Sequence, residues 1–336
     1  MSSSIVIRGV GAGLDGILGR LQRGHGDPTT RLAAGSWWRA AITPDGPVLL
    51  RLTRTDDDVT AEALGDGAAW ALDRAPLLLG VDDRPDDFTP DHELLAGLLR
   101  RRSTRIGGTG LLAESLAQTI IEQKVTGAEA FTSIRRLVRR FGEQPPGIDP
   151  DDAAHPAAGM VAAPAAGQWA AIPSWEYLQA GVDERRAGTI ARAMAKVGAF
   201  ERVLARAADE PVTARGEALE RALRTVPGIG PWTAAKVRQN VLGDPDAWSI
   251  DDYHVPGMVS AHLADGGDPG EALEPFRPHR WRVEIALMGL GLPERHGPRR
   301  TLPSHLPVRG GWTAGGRGQG RWGSGSPQST RRRHHG

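Results

Sequence analysis

The chain has 336 residues, of which 40% are hydrophobic, and it contains no cysteine. This length predicts two or three domains, and the apolar content suffices for packed cores. The lack of cysteine excludes disulfides, Cys-ligated zinc and thiolate-held iron–sulfur clusters.

The net charge of +1 is unevenly distributed along the chain. Residues 299–336 hold eight of the 41 basic residues and no acid, so 33 basic residues remain against 40 acidic ones, a net charge of −7. An acidic body is not typical of a strong non-specific DNA binder. Any contact with DNA therefore needs a local basic surface or the tail.

Nothing in the sequence indicates export or membrane insertion. The first residues lack the basic and apolar regions of a signal peptide. No apolar run approaches the roughly 20 residues that a membrane span needs. We therefore expect a soluble, cytoplasmic protein that makes no membrane contact.

The first part of the chain, residues 1–90, is predicted to be a small α+β domain. A turn at Asp45-Gly46-Pro47 precedes residues 48–54, which read as a strand with one apolar face. Residues 59–64 and 70–72 are predicted as further strands. Residues 8–22 are predicted as an amphipathic helix.

From residue 91 to 298 the pattern is helical. Leu112, Leu116 and Ile120 are spaced by four and form one apolar stripe, and the next helix continues through residues 134–141. Residues 144–167, rich in Pro, Ala and Asp, are predicted to be a long connecting loop. Further helices are predicted from about residue 174 and over residues 183–197, 215–223, 231–242 and 280–290.

Residues 299–336 consist mainly of Gly, Ser, Arg and Pro and show no periodicity. Such a segment has too little apolar surface to fold, so a disordered basic tail is expected. A flexible polycation raises the local concentration of DNA without adding specificity. The alternative is a dispensable extension.

A short turn between two predicted helices carries the main functional signal. It runs from Val226 through Pro227, Gly228 and Ile229 to Gly230. Both glycines tolerate a positive φ, which would let their N–H groups face outward with those of the next helix, and such a cluster favours a phosphate. The structural alternative is a helix C-cap followed by a tight turn.

The surroundings of this turn resemble a known family. Residues 223–255 run from Leu-Arg-Thr-Val-Pro-Gly-Ile-Gly-Pro-Trp-Thr-Ala-Ala-Lys-Val to Ser-Ile-Asp-Asp-Tyr-His-Val. They resemble the helix–hairpin–helix DNA glycosylases, and within that superfamily the bacterial 3-methyladenine DNA glycosylase II group. The resemblance covers roughly residues 90–295. It implies a small curved N-terminal sheet, in an α+β fold, beside an all-helical helix–hairpin–helix domain.

The resemblance identifies Asp252 as the catalytic residue. The catalytic Asp of the family precedes an apolar residue at the third following position, where Asp252 has Val255 and Asp251 has His254. A fixed carboxylate stabilises the positive charge that develops on the sugar when an N-glycosidic bond breaks. Asp251 is expected to be a helix cap or a solvated neighbour.

Position 232 predicts the type of reaction. Bifunctional members of the superfamily have a Lys two residues after the last hairpin glycine, where it forms a Schiff base with the sugar. This chain has Trp232 there, and Lys236 stands about 6 Å further along the helix axis. The resemblance therefore implies a monofunctional glycosylase that releases alkylated purines by hydrolysis, as the first step of base excision repair.

Aromatic residues are expected to receive the extruded base, which must leave the helical stack. Alkylated purines carry or approach a positive charge, so an electron-rich pocket suits them. The predicted pocket residues are Trp232, Tyr253 and Trp175, with ordinary core or interface packing as the alternative for each.

The resemblance also implies the DNA contacts. The predicted DNA-binding residues are Gln123, Lys124, Gly228, Ile229, Gly230, Thr233 and Lys236. Gln123 and Lys124 lie on the loop that fills the gap left by the extruded base, and relatives have a bulky apolar wedge where Lys124 stands. A monovalent cation is implied on the main-chain carbonyls of Arg224, Val226 and Ile229.

The expected partner is double-stranded DNA with a damaged base, which would associate a cytoplasmic protein with the nucleoid. No cofactor and no protein partner are implied, and a single hairpin predicts a monomer. Two other functions stay open: a non-catalytic DNA-binding protein that uses the same hairpin, and a glycosylase for deaminated, oxidised or bulky bases.

Overall fold

A computed structural model of the protein describes residues 3–101, 103–149, 151–264 and 267–291. Its N-terminal part is an antiparallel sheet in which five strands are arranged in the order β1-β5-β4-β3-β2. The strands are β1 (Ser3–Ile7), β2 (Thr30–Ala33), β3 (Ser36–Thr43), β4 (Gly46–Thr55) and β5 (Asp58–Leu64). The predicted turn and the strands predicted over residues 48–54 and 59–64 are confirmed.

Both faces of the sheet are covered, which explains the nearly continuous apolar run of β4. Leu50 and Leu52 face one core, which is closed by two helices, α1 (Leu14–Leu21) and α2 (Ala68–Leu78). Leu49 faces the opposite side, where Met160 belongs to the same buried cluster. The connecting loop predicted over residues 144–167 ends at residue 165, where α6 follows, and its apolar residues Ala157, Met160 and Ala162 pack against the outer face of the sheet.

The other α-helices of the described chain follow the sheet, joined by turns and irregular segments. They are α3 (Glu93–Arg101), α4 (Leu112–Ile121), α5 (Gly127–Phe141), α6 (Ala166–Ala171), α7 (Ser174–Ala180), α8 (Glu184–Met194), α9 (Val197–Arg206), α10 (Val212–Leu223), α11 (Pro231–Leu242), α12 (Val255–Leu263), α13 (Pro269–Leu273) and α14 (Arg280–Met288). The predicted stripe Leu112, Leu116 and Ile120 is buried, as expected of the inner face of α4.

The turn at residues 226–230 and the segment that carries Asp252 are positioned by two helical cores. The larger one joins helices from α4 to α11, and the smaller one joins α3 to α12, α13 and α14. The chain passes from the first to the second core through residues 243–254. Asp252, the predicted catalytic residue, therefore lies in the segment that connects α11 of the larger core to α12 of the smaller core.

The N-terminal sheet is tied to the helices by buried ion pairs. Arg39 on β3 contacts Glu114 on α4 at 2.9 Å. Arg282 on α14, which is fully buried, pairs with Asp83 and donates to the carbonyl of Thr104 at 2.8 Å. A buried charge left without its partner is costly, so these pairs fix the relative placement of the two parts.

Two sequence-based expectations about local structure are wrong. Residues 70–72 lie in α2, not in a strand, because Ala68, Ala71, Leu72 and Ala75 repeat with helical spacing and are all buried. The helix predicted over residues 8–22 is shorter, since α1 follows a 3-10 turn at Gly11–Gly13. The tail at 299–336 lies outside the described residues.

Candidate functional site

The turn between α10 and α11 is anchored by its two apolar side chains. Val226 and Ile229 are buried in the larger helical core, and the Ile229 N–H donates to the Val226 carbonyl at 3.0 Å. Pro227 and Gly228 between them are exposed. The apolar residues thus hold a rigid turn whose tip faces solvent.

The two glycines of the turn have different reasons for being glycine. Gly228 has a φ of +101°, and a Cβ atom there would lie 2.3 Å from the Thr189 hydroxyl oxygen on α8. Gly230, expected to share the positive φ, instead has a φ of −99° and an extended ψ, because it is the N-cap of α11. A Cβ at Gly230 would meet nothing within 4 Å.

The start of α11 has free hydrogen-bonding capacity. Pro231 occupies the first position of the helix, and the cap glycine has no side chain to accept from the first-turn amides. Those N–H groups have no partner inside the helix. A helix start of this kind, with open space at Gly230, suits an anion on an extended backbone.

Asp252 is held next to this surface by hydrogen bonds to both carboxylate oxygens. Oδ1 accepts from the N–H groups of His254 at 2.8 Å and Val255 at 3.2 Å, at the start of α12. Oδ2 accepts from the indole Nε1 of Trp232, on the first turn of α11, at 2.9 Å. The acid is therefore tied to the hairpin helix, twenty residues earlier in the chain.

The neighbouring Asp251 does not cap α12. It is exposed, with a φ of +63°, whereas Asp252 accepts the first backbone N–H groups of the helix. Capping was expected of Asp251 as one alternative. The structure has His254 at the N-cap position without a side-chain bond of its own, and it is Asp252, two residues earlier, that accepts the N–H groups of His254 and Val255. Capping and a second role are compatible here, because the cap uses Oδ1 and leaves Asp252 partly accessible.

The three aromatic residues predicted to line a base pocket differ in position. Trp232 is half-buried and bonded to Asp252, and Tyr253 is 53% exposed with its ring edge-on to His254 at 4.9 Å between ring centroids. Trp175 is 59% exposed on α7. Among the described residues, no hydrogen bond or ring contact links Trp175 to Asp252 or Trp232.

The loop between α4 and α5 meets the hairpin through one side chain. The Gln123 amide nitrogen donates to the Gly228 carbonyl at 2.9 Å and to the Thr233 hydroxyl at 2.8 Å. The next residue, Lys124, is exposed and has a φ of +58°. The structure thus brings Gln123, Gly228 and Thr233 together, with Lys124 at the exposed tip of the loop.

A buried acid behind the site was not identified from the sequence. Glu284 on α14 is 0% exposed and accepts hydrogen bonds from the N–H and hydroxyl groups of Ser249. Its pKa is raised to about 8, mainly by burial and to a smaller extent by the charge of Asp252, against the opposing effects of the Ser249 hydrogen bonds and the charge of Lys236. The available signal was an acid inside the apolar run from Val283 to Leu287, within the helix predicted over residues 280–290.

The carbonyl groups implied as cation ligands are only partly free. The Val226 carbonyl already accepts the Ile229 N–H, while no N–H or O–H of the described residues donates to the carbonyls of Arg224 and Ile229. Among the described residues, no cluster of three or more His, Asp or Glu side chains could hold a metal. Main-chain carbonyls suit a hard cation, so the residues present fit the implied group.

A cavity of about 420 Å³ lies on the other side of α11. It is lined by five arginines, three acids and four apolar residues: Arg221, Arg224, Arg238, Arg277, Arg280, Glu217, Glu220, Asp246, Pro231, Ala235, Trp248 and Ile250. Arg238 pairs with Glu220 and Asp244, each at 2.6 Å. Neither Asp252 nor Trp232 lines this space, so it does not serve as the base pocket.

Comparison with curated proteins gives a distant relative. The chain is 27% identical over 254 residues to the "Probable bifunctional transcriptional activator/DNA repair enzyme AlkA" of Mycobacterium tuberculosis, across 71% of this chain and 46% of that protein. The chain thus spans about half the length of the curated relatives that it matches. No family model matches the chain.

Solved structures share the fold. A 3-methyladenine DNA glycosylase from Archaeoglobus fulgidus matches with a TM-score of 0.58 at 20% identity, over 78% of this chain and 89% of that one. An 8-oxoguanine glycosylase/lyase of Clostridium acetobutylicum, in complex with double-stranded DNA, matches with a TM-score of 0.60 at 12% identity, over 86% and 98%. The resemblance to helix–hairpin–helix DNA glycosylases is confirmed.

Within the described ranges, no helix has the length and apolarity to cross a membrane.

Proposed function

Proceeding from this resemblance to the helix–hairpin–helix DNA glycosylases, we propose that the chain is a monofunctional DNA glycosylase. It hydrolyses the N-glycosidic bond of alkylated purines of the 3-methyladenine type in duplex DNA, the first step of base excision repair. The observation that carries the proposal is the position of Asp252. Its carboxylate is fixed by Trp232 at the start of the helix that follows the glycine turn.

Asp252 stabilises the transition state. As the bond to the base breaks, positive charge develops on the deoxyribose, and a carboxylate already held in place stabilises that charge without reorganising. The interaction is stronger in a site that DNA binding has closed to water. The same carboxylate orients or deprotonates the attacking water.

Water is the nucleophile in this proposal because position 232 has no amine. Trp232 occupies the place of the Schiff-base lysine of the bifunctional relatives, and its indole N–H is already donated to Asp252. Lys236, one helical turn later, lies near the fully buried Glu284. The expected product is therefore an abasic site in an intact strand.

The preference for alkylated purines rests on the aromatic side chains around the acid. Trp232 is hydrogen-bonded to Asp252 and Tyr253 follows Asp252 in the chain, and each cation–π contact with a cationic base contributes about 0.5–2 kcal/mol. We include Trp175 as a third wall because its ring is largely exposed. The preference for alkylated purines is a more specific proposal than glycosylase activity itself.

The DNA backbone is held by the hairpin. The open space in front of Gly230 admits the strand, and the amides at the start of α11 bind a phosphate. Ile229 anchors the turn, and Gly228 and Thr233 are bridged by Gln123. Since the Gln123 amide is engaged within the protein, we assign the wedge that fills the gap in the duplex to the exposed Lys124, with Lys236 contributing charge nearby.

The proposed organisation follows the same division. Residues 1–90 form the N-terminal α+β domain, residues 91–298 the all-helical glycosylase domain, and residues 299–336 a basic tail. We propose a cytoplasmic monomer that meets the nucleoid through DNA and needs no cofactor. A monovalent cation on the carbonyls of Arg224, Val226 and Ile229 would strengthen the phosphate contact.

A panel of duplexes with single defined lesions tests the proposal. 3-Methyladenine, 7-methylguanine, hypoxanthine and ethenoadenine are incubated with the full chain, and base release is measured with and without later alkali. We expect release of the two methylated purines, with strand breaks only after alkali. Release of only hypoxanthine or ethenoadenine would overturn the substrate class, and breaks without alkali would overturn the monofunctional assignment. Binding without release of any base would favour a non-catalytic DNA-binding protein.

A further inference from the structure

We propose that Glu284 is a positioning residue for Asp252, acting through Ser249 from inside the protein. The inference rests on the proposed function, because it assigns the catalytic role to Asp252. Glu284 itself touches no substrate, since its side chain has no exposed surface.

A short chain of hydrogen bonds connects the two acids. Glu284 accepts from both the N–H and the hydroxyl group of Ser249. The carbonyl of Ser249 accepts the N–H of Asp252 at 3.1 Å. Ser249 is thus bonded on its inner side by Glu284 and on its outer side by Asp252, so a shift of Ser249 moves the backbone of the acid.

A second buried side chain supports the same serine. The Gln239 amide nitrogen donates to the Ser249 hydroxyl at 3.0 Å and also to the Ala247 carbonyl. Gln239 lies on α11, and Glu284 on α14. Residues 247–252 are therefore bonded both to the hairpin helix and to the last helix of the smaller core.

The need for such a brace follows from the backbone of this segment. Between α11 and α12, Asp251 adopts a left-handed conformation that is unfavourable for a non-glycine residue. Contacts in the surroundings must hold a segment of this kind in place. The two hydrogen bonds between Glu284 and Ser249 constrain the backbone just before Asp251. The hydrogen bonds that Asp252 accepts from the His254 and Val255 N–H groups constrain it just after Asp251.

The charge state of Glu284 makes a matched pair of variants available. Burial raises its pKa to about 8, so most molecules carry the neutral acid at pH 7. Glu284→Gln keeps the shape and an oxygen that accepts the Ser249 N–H. Glu284→Leu keeps the approximate volume and removes both hydrogen bonds.

The test combines a reaction rate with a measurement that needs no activity. Single-turnover release of 3-methyladenine and the affinity for an abasic-site duplex are measured for both variants at pH 7. Hydrogen exchange is followed in peptides that cover residues 247–255. Glu114→Leu is the control, because it likewise replaces a buried acid by Leu and removes its polar contacts, here with Arg39, but lies on α4, far along the chain from Asp252.

We expect Glu284→Leu to slow base release about 10- to 100-fold with little change in DNA affinity, and to accelerate exchange in residues 247–255. Glu284→Gln should stay within about threefold of the wild-type rate, and Glu114→Leu should change neither the rate nor that exchange. Wild-type exchange in Glu284→Leu, or equal loss of rate in the Gln, Leu and control variants, would overturn the inference.

Two further outcomes are separated by the design. If Glu284→Leu does not fold, Ser249→Ala removes one of the same bonds and must shift the rate and the exchange in the same direction. If the wild-type protein releases no base, the proposed function fails, while the exchange measurement still decides whether Glu284 holds the segment.

Discussion

The buried position of Glu284 predicts an unusual dependence of stability on pH. Its pKa is raised from 4.5 to about 8, mainly by burial. Between these values the folded protein keeps a proton that the unfolded chain releases. The contribution of this group to the free energy of unfolding is therefore full below pH 4.5 and decreases as the pH rises to about 8.

Replacing Glu284 by Gln removes this titration and leaves the remaining groups unchanged. Each unit of pKa shift corresponds to about 1.4 kcal/mol, so the full shift corresponds to at most about 5 kcal/mol. Relative to the wild-type protein, Glu284→Gln should gain about 3–4 kcal/mol of unfolding free energy between pH 5 and pH 8.

The assay is denaturant unfolding of both proteins at pH 5, 6, 7 and 8, at one ionic strength. Comparing the two proteins at each pH cancels the titration of all other groups. The difference between them should widen steadily over this range. Two stability curves that stay parallel would show that Glu284 titrates normally, and the reasoning from burial would be refuted.

Three further predictions concern the hairpin and its support. Gly228→Ala should cost about 1–3 kcal/mol in urea unfolding, because the φ of Gly228 is positive and a side chain there collides with α8. Gly230→Ala should keep the free energy of unfolding within about 0.5 kcal/mol of wild type but weaken DNA binding in titrations. Equal behaviour of the two variants would contradict the different roles assigned to the two glycines. Trp232→Phe keeps the ring but loses the indole N–H that holds the carboxylate, so single-turnover base release should fall about 10-fold, and an unchanged rate would exclude this role. Arg282→Leu leaves Asp83 buried without its partner and should cost about 3–5 kcal/mol by thermal or chemical unfolding, and a neutral result would show that the pair is dispensable.

The sequence predicted best those features that neighbouring residues determine, such as helix ends and the buried face of a helix. The α11 boundaries, Pro231 to Leu242, follow from a proline at the first helical position and the glycine after the last turn. The spacing of Leu112, Leu116 and Ile120 likewise identified the buried face of α4. The positions of Asp252 and Trp232 were indicated by the motif that surrounds them.

Features that depend on distant contacts were not accessible from the sequence. The extended conformation of Gly230 depends on its place as an N-cap, although glycine alone also allows the positive φ that was expected. Residues 144–165 have the composition of a loop, yet Met160 packs on the sheet because the outer face of β4 needs cover. The sequence did not show that Glu284 contacts Ser249, because this contact depends on how α14 packs against residues 247–252.

The most direct test of the central claim is the single-turnover rate of 3-methyladenine release by Asp252→Asn, measured with all DNA bound. The substitution keeps the shape and an oxygen that accepts the His254 and Val255 N–H groups, but it removes the negative charge and the acceptor of the Trp232 indole N–H. We expect a rate at least about 100-fold below wild type, with equal or tighter binding of the damaged duplex. A variant that releases the base at the wild-type rate would contradict the claim that this carboxylate acts on the sugar.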